Sequence, residues 1–373
     1  MNPIQRLPAS LTPVETVLAA LLRDVAPVSP VALPIADSLG YVAAEMPPLK
    51  AFPACDIAAG DGWAMRARDL VGASSYSPLP LSAAPVWVEA GEPLPEGCDC
   101  VIDLDLLDQT GPMVQALGEA IPGQGVRRAG GEIAQASVAI ASGSRIRPLD
   151  LAIARIAGLQ QINVRRPRLR VVNIPAITGD AITSRLIAES ARAAGADVFI
   201  TESAGREAAS IVGAFDADAC DLLITIGGSG VGLSDATIVA LAACGEIIAH
   251  GVALQPGRTL AIGKIANTPV IALPGAPDQA LAGWWTLALP ALDRLSGFRP
   301  RQPVTLPLKR KIASSVGITE IVLLERGDDQ WTPLATGELA LDAIARADAW
   351  LAVPAGAEGF AAGEFVDAYM LRD

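Results

Sequence analysis

The sequence contains a single histidine, His250, in 373 residues, and aromatic residues make up only 4% of the chain. A Ser-His-Asp triad would therefore have one possible base, and no nucleophile motif lies beside it, so hydrolysis through such a triad is not expected. The five cysteines are an odd number, which argues against a disulfide framework and favours small buried thiols. Cys98 and Cys100 are also closer together than the usual pair of zinc ligands.

Long apolar runs and an excess of positive charge are missing as well. No apolar run reaches the ~18 residues that a membrane span needs, and the first ten residues lack the hydrophobic segment of a secretory signal. These absences predict a cytoplasmic protein that does not enter a membrane. The net charge of −12 argues against broad nucleic-acid binding, although a small anionic ligand could still bind where cations cluster locally.

The hydrophobic residues, 51% of the chain, follow three successive patterns. Residues 12–15 fit a capping box with Pro13 at the first helical position, and an apolar stripe at helical spacing follows. Short apolar runs separated by Gly and Pro, from Pro27 to about Ile146, predict a β-rich module. After a basic hinge at 164–168, buried strands alternate with helices, which indicates a doubly wound α/β domain. Strands after Phe298 predict a small C-terminal β domain.

Three loops of the predicted α/β domain carry residues that could bind a ligand. They read I-T-G-D at 177–180, G-G-S-G-V-G at 227–232 followed by Asp235, and L-P-G-A-P at 273–277. Each follows a strand, and ligands of open α/β sheets bind at the carboxyl ends of strands. Glycine lets backbone N–H groups approach a phosphate, and Asp180 and Asp235 could hold Mg²⁺. Each loop alone could also be only a tight connection, and neither the Rossmann glycine pattern nor the Walker lysine is present.

A second group of turns lies in the β-rich module. Its members read D-I-A-A-G-D-G-W-A at 56–64, G-E-P-L-P-E-G at 91–97 and R-R-A-G-G-E at 127–132. Each could be an ordinary hairpin turn. Their occurrence together and in this order is what departs from chance.

Taken in order, seven motifs resemble the molybdopterin molybdenumtransferase family, which includes MoeA and the gephyrin E domain. They are D-G-W-A at 61–64, G-E-P-L-P-E-G-C-D at 91–99, R-R-A-G-G-E at 127–132, T-G-D at 178–180, G-G-S-G-V-G-L-S-D at 227–235, Q-P-G-R at 255–258 and L-P-G-A-P at 273–277. The resemblance runs from about residue 11 to residue 373, nearly the whole chain. As a set it is specific, because all seven loops occur in sequence with sensible spacing.

The resemblance implies an elongated homodimer with four domains in each subunit. These would be residues 1–46 with 141–167 as a helical linker domain, 47–140 as the β-rich lobe, 168–298 as a molybdopterin-binding-type α/β domain and 299–373 as the C-terminal β domain. The active site would lie between the α/β domain of one subunit and the lobe of the other. Its reaction would be the insertion of molybdate into adenylylated molybdopterin with the help of Mg²⁺. A molybdoenzyme or its chaperone is the expected partner.

The resemblance also implies roles for individual residues. Four carboxylates would handle metal and water, with Asp180 and Asp235 as the metal ligands: Asp61, Glu132, Asp180 and Asp235. The remaining site residues would bind the anionic substrate, through cations and through loops that allow close approach: Arg127, Thr178, Gly227, Gly228, Ser229, Gly230, Arg258, Lys264, Pro274 and Gly275.

Several supporting positions depart from the family pattern. Ala181 stands where the family has Glu, Gln255 where it has Lys, and Gly230 where it has Ser. Losing one acid and one cation from such a site could cost roughly several kcal/mol of transition-state stabilisation. A second interpretation is therefore a catalytically lapsed protein that binds or carries molybdopterin or the finished cofactor. A third is a nucleotide-binding α/β enzyme of another family.

Overall fold

A computed structural model describes residues 5–176 and 181–372 of the chain. The described part that precedes the α/β domain contains two α-helices, three short 3-10 helices and eleven strands, most of them short. The 3-10 helices are Ile35–Asp37, Ala67–Leu70 and Leu104–Leu106. The bounds of the α-helices and strands are α1 Val14–Leu22, β1 Val31–Pro34, β2 Val42–Ala43, β3 Ile57–Ala58, β4 Gly62–Met65, β5 Ser74–Pro80, β6 Val86–Val88, β7 Cys100–Ile102, β8 Leu107–Asp108, β9 Gln115–Gly118, β10 Val126–Arg127, α2 Pro148–Ile156 and β11 Gln161–Arg165.

The β-rich lobe consists of small antiparallel sheets. Strand β4 lies between β6 and β7, β9 lies between β5 and β8, and β3 pairs with β10. Outside the lobe, β11 lies between β1 and β2, and helix α2 packs with these strands around a separate apolar core. The frequent turns predicted from Gly and Pro are thus hairpin and sheet connections.

Helix α1 differs from the prediction in its start and in its neighbours. It begins at Val14 with Pro13 as the N-cap residue, and no side chain caps it. Thr12 is not a cap because its backbone is hydrogen-bonded to the segment 251–253, where it forms a parallel bridge. The apolar stripe of α1 joins the core of the α/β domain, so this helix does not pack with residues 141–167, with which the predicted domain division groups it.

The α/β domain alternates strands and helices as expected. Its elements are β12 Arg168–Asn173, α3 Ile182–Ala193, β13 Asp197–Glu202, α4 Ala208–Ala214, β14 Leu222–Ile226, α5 Thr237–Cys244, β15 Glu246–His250, β16 Leu254–Gln255, β17 Ala261–Ile265, β18 Thr268–Leu273, α6 Pro277–Gly283, a π-helical turn Trp284–Ala288 and α7 Leu289–Ser296. The predicted α/β fold class is confirmed.

The sheet of this domain has the strand order β13-β12-β14-β18-β17-β15. The first four strands are parallel, while β17 and β15 are antiparallel additions that the sequence patterns did not predict. Strand β14 is buried along its whole length, as a central strand covered by helices on both faces should be. Register pairs Asn173 with Ile226 and Ile226 with Leu273, so three strands end side by side.

The C-terminal domain contains a second, mainly antiparallel sheet packed around Trp331 and a separate two-stranded sheet. Its elements are β19 Val304–Pro307, β20 Ile312–Ala313, β21 Thr319–Arg326, β22 Trp331–Thr336, α8 Leu341–Arg346, β23 Ala349–Val353, β24 Gly359–Phe360 and β25 Phe365–Met370. Strands β20 and β24 form the two-stranded sheet. Strand β16 of the α/β domain pairs with β21, and Trp285 stacks on Trp350, so the two domains share an interface. No helix in the described part of the chain is long and apolar enough to cross a membrane.

Candidate functional site

Two of the three predicted ligand loops, residues 227–232 and residues 273–277, meet at the carboxyl edge of the sheet. Helix α3, which follows the third loop, lies beside them. The backbone N–H of Gly227 donates to the carbonyl of Leu273 at 2.9 Å, which joins the end of β14 to the end of β18. Thr183, in the first turn of α3, donates its hydroxyl to the carbonyl of Gly275 at 2.7 Å. A Cβ at Gly275 would lie 3.6 Å from the Cα of Gly227. This edge is therefore a continuous surface of backbone, as the strand-end argument predicts.

The glycine-rich loop, residues 227–232, needs glycine at two positions for conformational reasons. Gly227 and Gly228 have φ angles of +94° and +67°, which are strained for any residue with a side chain. A Cβ at Gly228 would also come within 2.5 Å of the Thr237 hydroxyl. Within the described residues, the N–H groups of residues 228–231 have no hydrogen-bond acceptor. The loop therefore offers backbone donors at the start of α5.

Asp235 closes this loop and forms an ion pair with Arg206. Its Oδ2 accepts from the N–H of Gly232 at 3.0 Å, and its Oδ1 accepts from Nη2 of Arg206 at 3.0 Å. The side chains of Arg206 and Asp235 are only 26% and 17% exposed. Arg206 also donates to the carbonyl of Pro175 at 2.5 Å, so it links the loops after β12 and β14. Sequence analysis missed Arg206, although it follows β13 at the same edge and the strand-end rule could have found it.

The carbonyl groups of the glycine-rich loop are held from outside the loop. Gln5 donates its side-chain N–H groups to the carbonyls of Gly228 at 3.0 Å and Gly230 at 2.7 Å. Its Oε1 accepts from the N–H of Ile238 at 2.7 Å, in the first turn of α5. Gln5 is 5% exposed, and no sequence signal marked it.

His250 binds the carbonyl that lies between those of Gly228 and Gly230. Its Nε2 is 3.1 Å from the carbonyl oxygen of Ser229, so the neutral ring donates from this nitrogen. Burial lowers the pKa of His250, and the hydrogen bond to Ser229 only partly offsets that effect. The hydroxyl of Ser229 is fully buried and has no hydrogen-bond partner within the described residues.

Only some of the other predicted residues of this edge lie within the described residues. Thr178 and Asp180 lie outside the described residues. Ala181 is the N-cap residue of α3. Within the described residues, no group of three or more His, Cys, Asp or Glu side chains could hold a metal ion. Of the two predicted metal ligands, Asp235 is therefore the one that lies within the described residues.

The segment 255–258 lies beside the first turn of α6, which follows Pro274 and Gly275. A Cβ at Gly257 would be 3.6 Å from the carbonyl of Gln279, and Arg258 is exposed next to it. Gln255 donates to the carbonyl of Gly337 in the C-terminal domain at 3.2 Å. A residue at position 255 therefore connects the edge of the site to the neighbouring domain.

Lys264 does not lie with these loops. It pairs with Pro269 across β17 and β18, at the end of β18 opposite Leu273. Four residues of strand separate the two ends, about 13 Å at the usual rise. Its Nζ instead forms an ion pair with Glu246 at 3.1 Å. The antiparallel direction of β17, which the sequence patterns did not reveal, explains this position.

The predicted residues of the lobe lie in neighbouring turns. Pairing of β3 with β10 places Arg127 opposite Ile57, so the turn at residues 56–64 lies beside the turn at residues 127–132. Nη1 of Arg127 donates to Oε1 of Glu132 at 2.7 Å. Asp61 accepts from the backbone N–H of Ala90 at 2.8 Å and is exposed. Arg127 and Glu132 therefore form an exposed ion pair, and Asp61 is an exposed carboxylate of the same lobe.

Asp56 fixes the loop that carries these residues. It accepts from the N–H of Ala129 at 2.8 Å and from Nη1 of Arg128 at 2.6 Å. Those two hydrogen bonds, the backbone one first, hold the pKa of Asp56 below its ordinary value. Within the described residues, no hydrogen bond or ion pair joins the lobe, 47–140, to the α/β domain, 168–298. Two separate groups of predicted site residues are thus present in the chain.

Comparison with known proteins identifies both halves of the chain. The family model of the MoeA N-terminal region, domains I and II, matches residues 12–158, and that of a probable molybdopterin binding domain matches residues 178–294. Molybdopterin molybdenumtransferase 2 of Mycobacterium tuberculosis is 29% identical over 342 residues, covering 78% of this chain and 82% of the relative. The molybdopterin molybdenumtransferase of Synechococcus elongatus is 27% identical over 357 residues, covering 84% and 88%.

A solved structure shares the architecture. The molybdopterin biosynthesis MoeA protein of Pyrococcus horikoshii superposes with a TM-score of 0.76 at 23% identity, covering 98% of this chain and 100% of that one. At this identity the likeness establishes the fold.

Proposed function

The chain belongs to the MoeA family, and we propose that it transfers molybdenum to molybdopterin in molybdenum-cofactor biosynthesis. The observation that carries the proposal is the glycine-rich loop, whose N–H groups lack protein acceptors within the described residues while Gly275 and Asp235 lie around it. Backbone donors at a helix N-terminus suit an anionic phosphate. Arg258, in the segment beside the first turn of α6, supplies an exposed cation.

The substrate we propose is adenylylated molybdopterin together with molybdate. Water would add to the adenylyl phosphorus and the P–O bond to the pterin phosphate would break, which yields AMP and the pterin phosphate. The two dithiolene thiols would bind molybdenum, and their two protons would leave with one oxygen of molybdate as water. The loop would hold the phosphates, and the carboxylates Asp61 and Glu132 would accept protons from the attacking water. No histidine or thiol is needed for these steps.

Mg²⁺ is a proposed helper in this reaction. Each oxygen of Asp235 accepts one hydrogen bond, which leaves a lone pair on each for a cation. Mg²⁺ is commonly bound by one or two carboxylates together with substrate phosphates, so Asp235 fits as one ligand and Asp180 is proposed as the second. When bound, the ion would neutralise negative charge on the phosphates. Asp235 would remain oriented by Arg206 and the N–H of Gly232.

We propose that the complete site forms across a homodimer interface. This would explain why Arg127 and Glu132 have no connection to the α/β domain of their own subunit within the described residues. A mixing experiment tests the arrangement. Arg127→Ala and Arg258→Ala are expected to be inactive alone, but a co-expressed mixture should recover activity, because a mixed dimer contains one intact site. A mixture as inactive as its parents would contradict the shared site.

The function itself is tested by incubating the purified protein with adenylylated molybdopterin, Mg²⁺ and molybdate while AMP release is followed. Release that depends on molybdate and continues over many turnovers supports the transferase. Absence of both turnover and pterin binding would contradict the proposal. A cytoplasmic location and delivery of the product to a molybdoenzyme or its chaperone belong to the same proposal.

A second candidate is a carrier that binds molybdopterin without transferring molybdenum. The ion pair between Arg206 and Asp235 favours it, since an arginine already neutralises the acid that a cation would use. Ala181 and Gln255 remove one further acid and one cation relative to the family. Tight pterin binding without AMP release would select the carrier.

A further inference from the structure

We infer that Gln5 is a positioning residue for substrate binding, and that it acts by orienting the glycine-rich loop. This inference rests on the proposed function, because it concerns the same site. Gln5 belongs to the segment before α1, 223 residues away from the loop that it contacts. Its side chain is nearly fully buried, and its hydrogen bonds run to carbonyls on the loop and to an N–H on α5.

The geometry shows why an amide is required at this position. The carbonyl of Gly230 receives its hydrogen bond from Gln5, and the carbonyl of Gly228 receives one from Gln5 in addition to one from the N–H of Thr237. The N–H of Ile238 needs an acceptor. A carboxamide supplies both donor and acceptor at one end of one side chain. The loop donors and the start of α5 are thereby fixed by the same group. A carboxylate of the same shape would satisfy the helix but not the loop.

His250 complements Gln5 on the intervening residue. It donates to the carbonyl of Ser229, so three consecutive carbonyls of the loop are bound by two side chains from distant segments. Beside these engaged oxygens, the N–H groups of residues 228–231 have no partner within the described residues. A pre-oriented set of donors binds an anion without first reorganising.

The test compares Gln5→Glu with Gln5→Ala in the full chain. Gln5→Glu retains an acceptor for Ile238 but turns a carboxylate oxygen toward the carbonyls of Gly228 and Gly230. We expect the KM for adenylylated molybdopterin to rise about tenfold, with a smaller change in kcat. The melting temperature should fall as well, because a buried carboxylate that faces two carbonyl oxygens is destabilising. Gln302→Ala is the matched control, because Gln302 is exposed and donates only to the neighbouring carbonyl of Pro300.

Hydrogen exchange gives a readout that does not depend on activity. In Gln5→Ala the amides of Ile238 and Val239 lose their acceptor and should exchange faster, whereas in Gln5→Glu they should remain protected. Faster exchange in Gln5→Ala with unchanged KM in both variants would overturn the inference and leave Gln5 as a helix cap only. If the wild type releases no AMP, the same comparison is made on the Kd for molybdopterin, so that failure of the transferase proposal is distinguished from failure of this one.

Discussion

The glycine-rich loop yields a sharp prediction at Gly230, where the family carries Ser. A Cβ at Gly230 would come within 2.6 Å of Oδ2 of Asp235, closer than side-chain carbons approach an oxygen. The carboxylate cannot move freely, because Gly232 and Arg206 both bind it at 3.0 Å. We therefore expect Gly230→Ser, although it restores the family residue, to displace Asp235 and to destabilise the loop.

The size of the effect follows from the bonds that must lengthen. A hydrogen bond to a charged group contributes about 1.5–3 kcal/mol, and Asp235 makes two of them. Displacement by a few tenths of an ångström weakens these bonds without abolishing them, so we expect a loss of about 1–2 kcal/mol. For a domain of this size that lowers the melting temperature by about 5 °C.

A double-mutant cycle isolates the cause. Removing the carboxylate with Asp235→Ala also removes the clash, so Gly230→Ser should cost less than about 0.5 kcal/mol in that background. Gly356→Ser is the matched control, since Gly356 is exposed and a Cβ there would meet nothing within 4 Å. Equal costs of Gly230→Ser with and without Asp235 would refute the reasoning, as would a wild-type melting temperature in the single variant.

Three further predictions concern charge at the same edge. Burial lowers the pKa of His250 and so favours its neutral form. Its contribution to the free energy of unfolding is present above the ordinary pKa of 6.5 and is lost as the pH falls below that value. The melting temperature of His250→Gln should therefore fall less than that of the wild type between about pH 7.5 and pH 5.5. Asp180→Asn should weaken Mg²⁺-dependent pterin binding in calorimetry while leaving the melting temperature unchanged, and the reverse pattern would make it structural. Ala181→Glu combined with Gln255→Lys leaves the net charge unchanged and should raise AMP release; a slower double variant would show that the site has adapted to its present residues.

Much of the α/β domain was predictable because its parallel strands are strongly apolar. Strands such as β14 are buried on both faces and are bounded by glycine, which identifies them without an alignment. Since such strands share a direction, their carboxyl ends and the loops that follow had to lie together. The sequence therefore predicted that residues 227–232 and residues 273–277 lie at the same edge of the sheet.

The antiparallel strands and the π-helical turn were harder to predict from the sequence. Strand β17 contains Gly263 and Lys264, which interrupt its apolar pattern, and its reversed direction carried Lys264 away from the site. Residues 279–295 fit one continuous helix, but the structure inserts a π-helical turn at Trp284–Ala288. That turn follows Gly283, which packs closely on Leu260 and Leu273, a contact that helical periodicity alone does not show.

The contacts that orient the glycine-rich loop could not be predicted from the sequence, for a different reason. Gln5 looks like an ordinary polar residue near a chain end, and its role depends on a contact across 223 residues. Arg206 likewise precedes a short helix without any motif. Local patterns predict which segments bind, whereas the side chains that hold them are decided by tertiary packing.

Some polar groups of the glycine-rich loop have no partner within the described residues. They help to decide whether the loop binds a ligand or has only a structural role. Buried carbonyls require donors in any folded protein, so their hydrogen bonds to Gln5 and His250 do not by themselves indicate a ligand. The hydroxyl of Ser229 and the N–H groups of residues 228–231 differ, because no partner satisfies them within the described residues. Val231 is exposed, so water can satisfy the outer N–H groups, whereas the buried hydroxyl of Ser229 carries a cost of about 1–3 kcal/mol that a bound anion would remove. The loop therefore suits an anionic ligand, a condition that transferase and carrier share, and the carboxylates Asp61 and Glu132 on the separate lobe must decide between them.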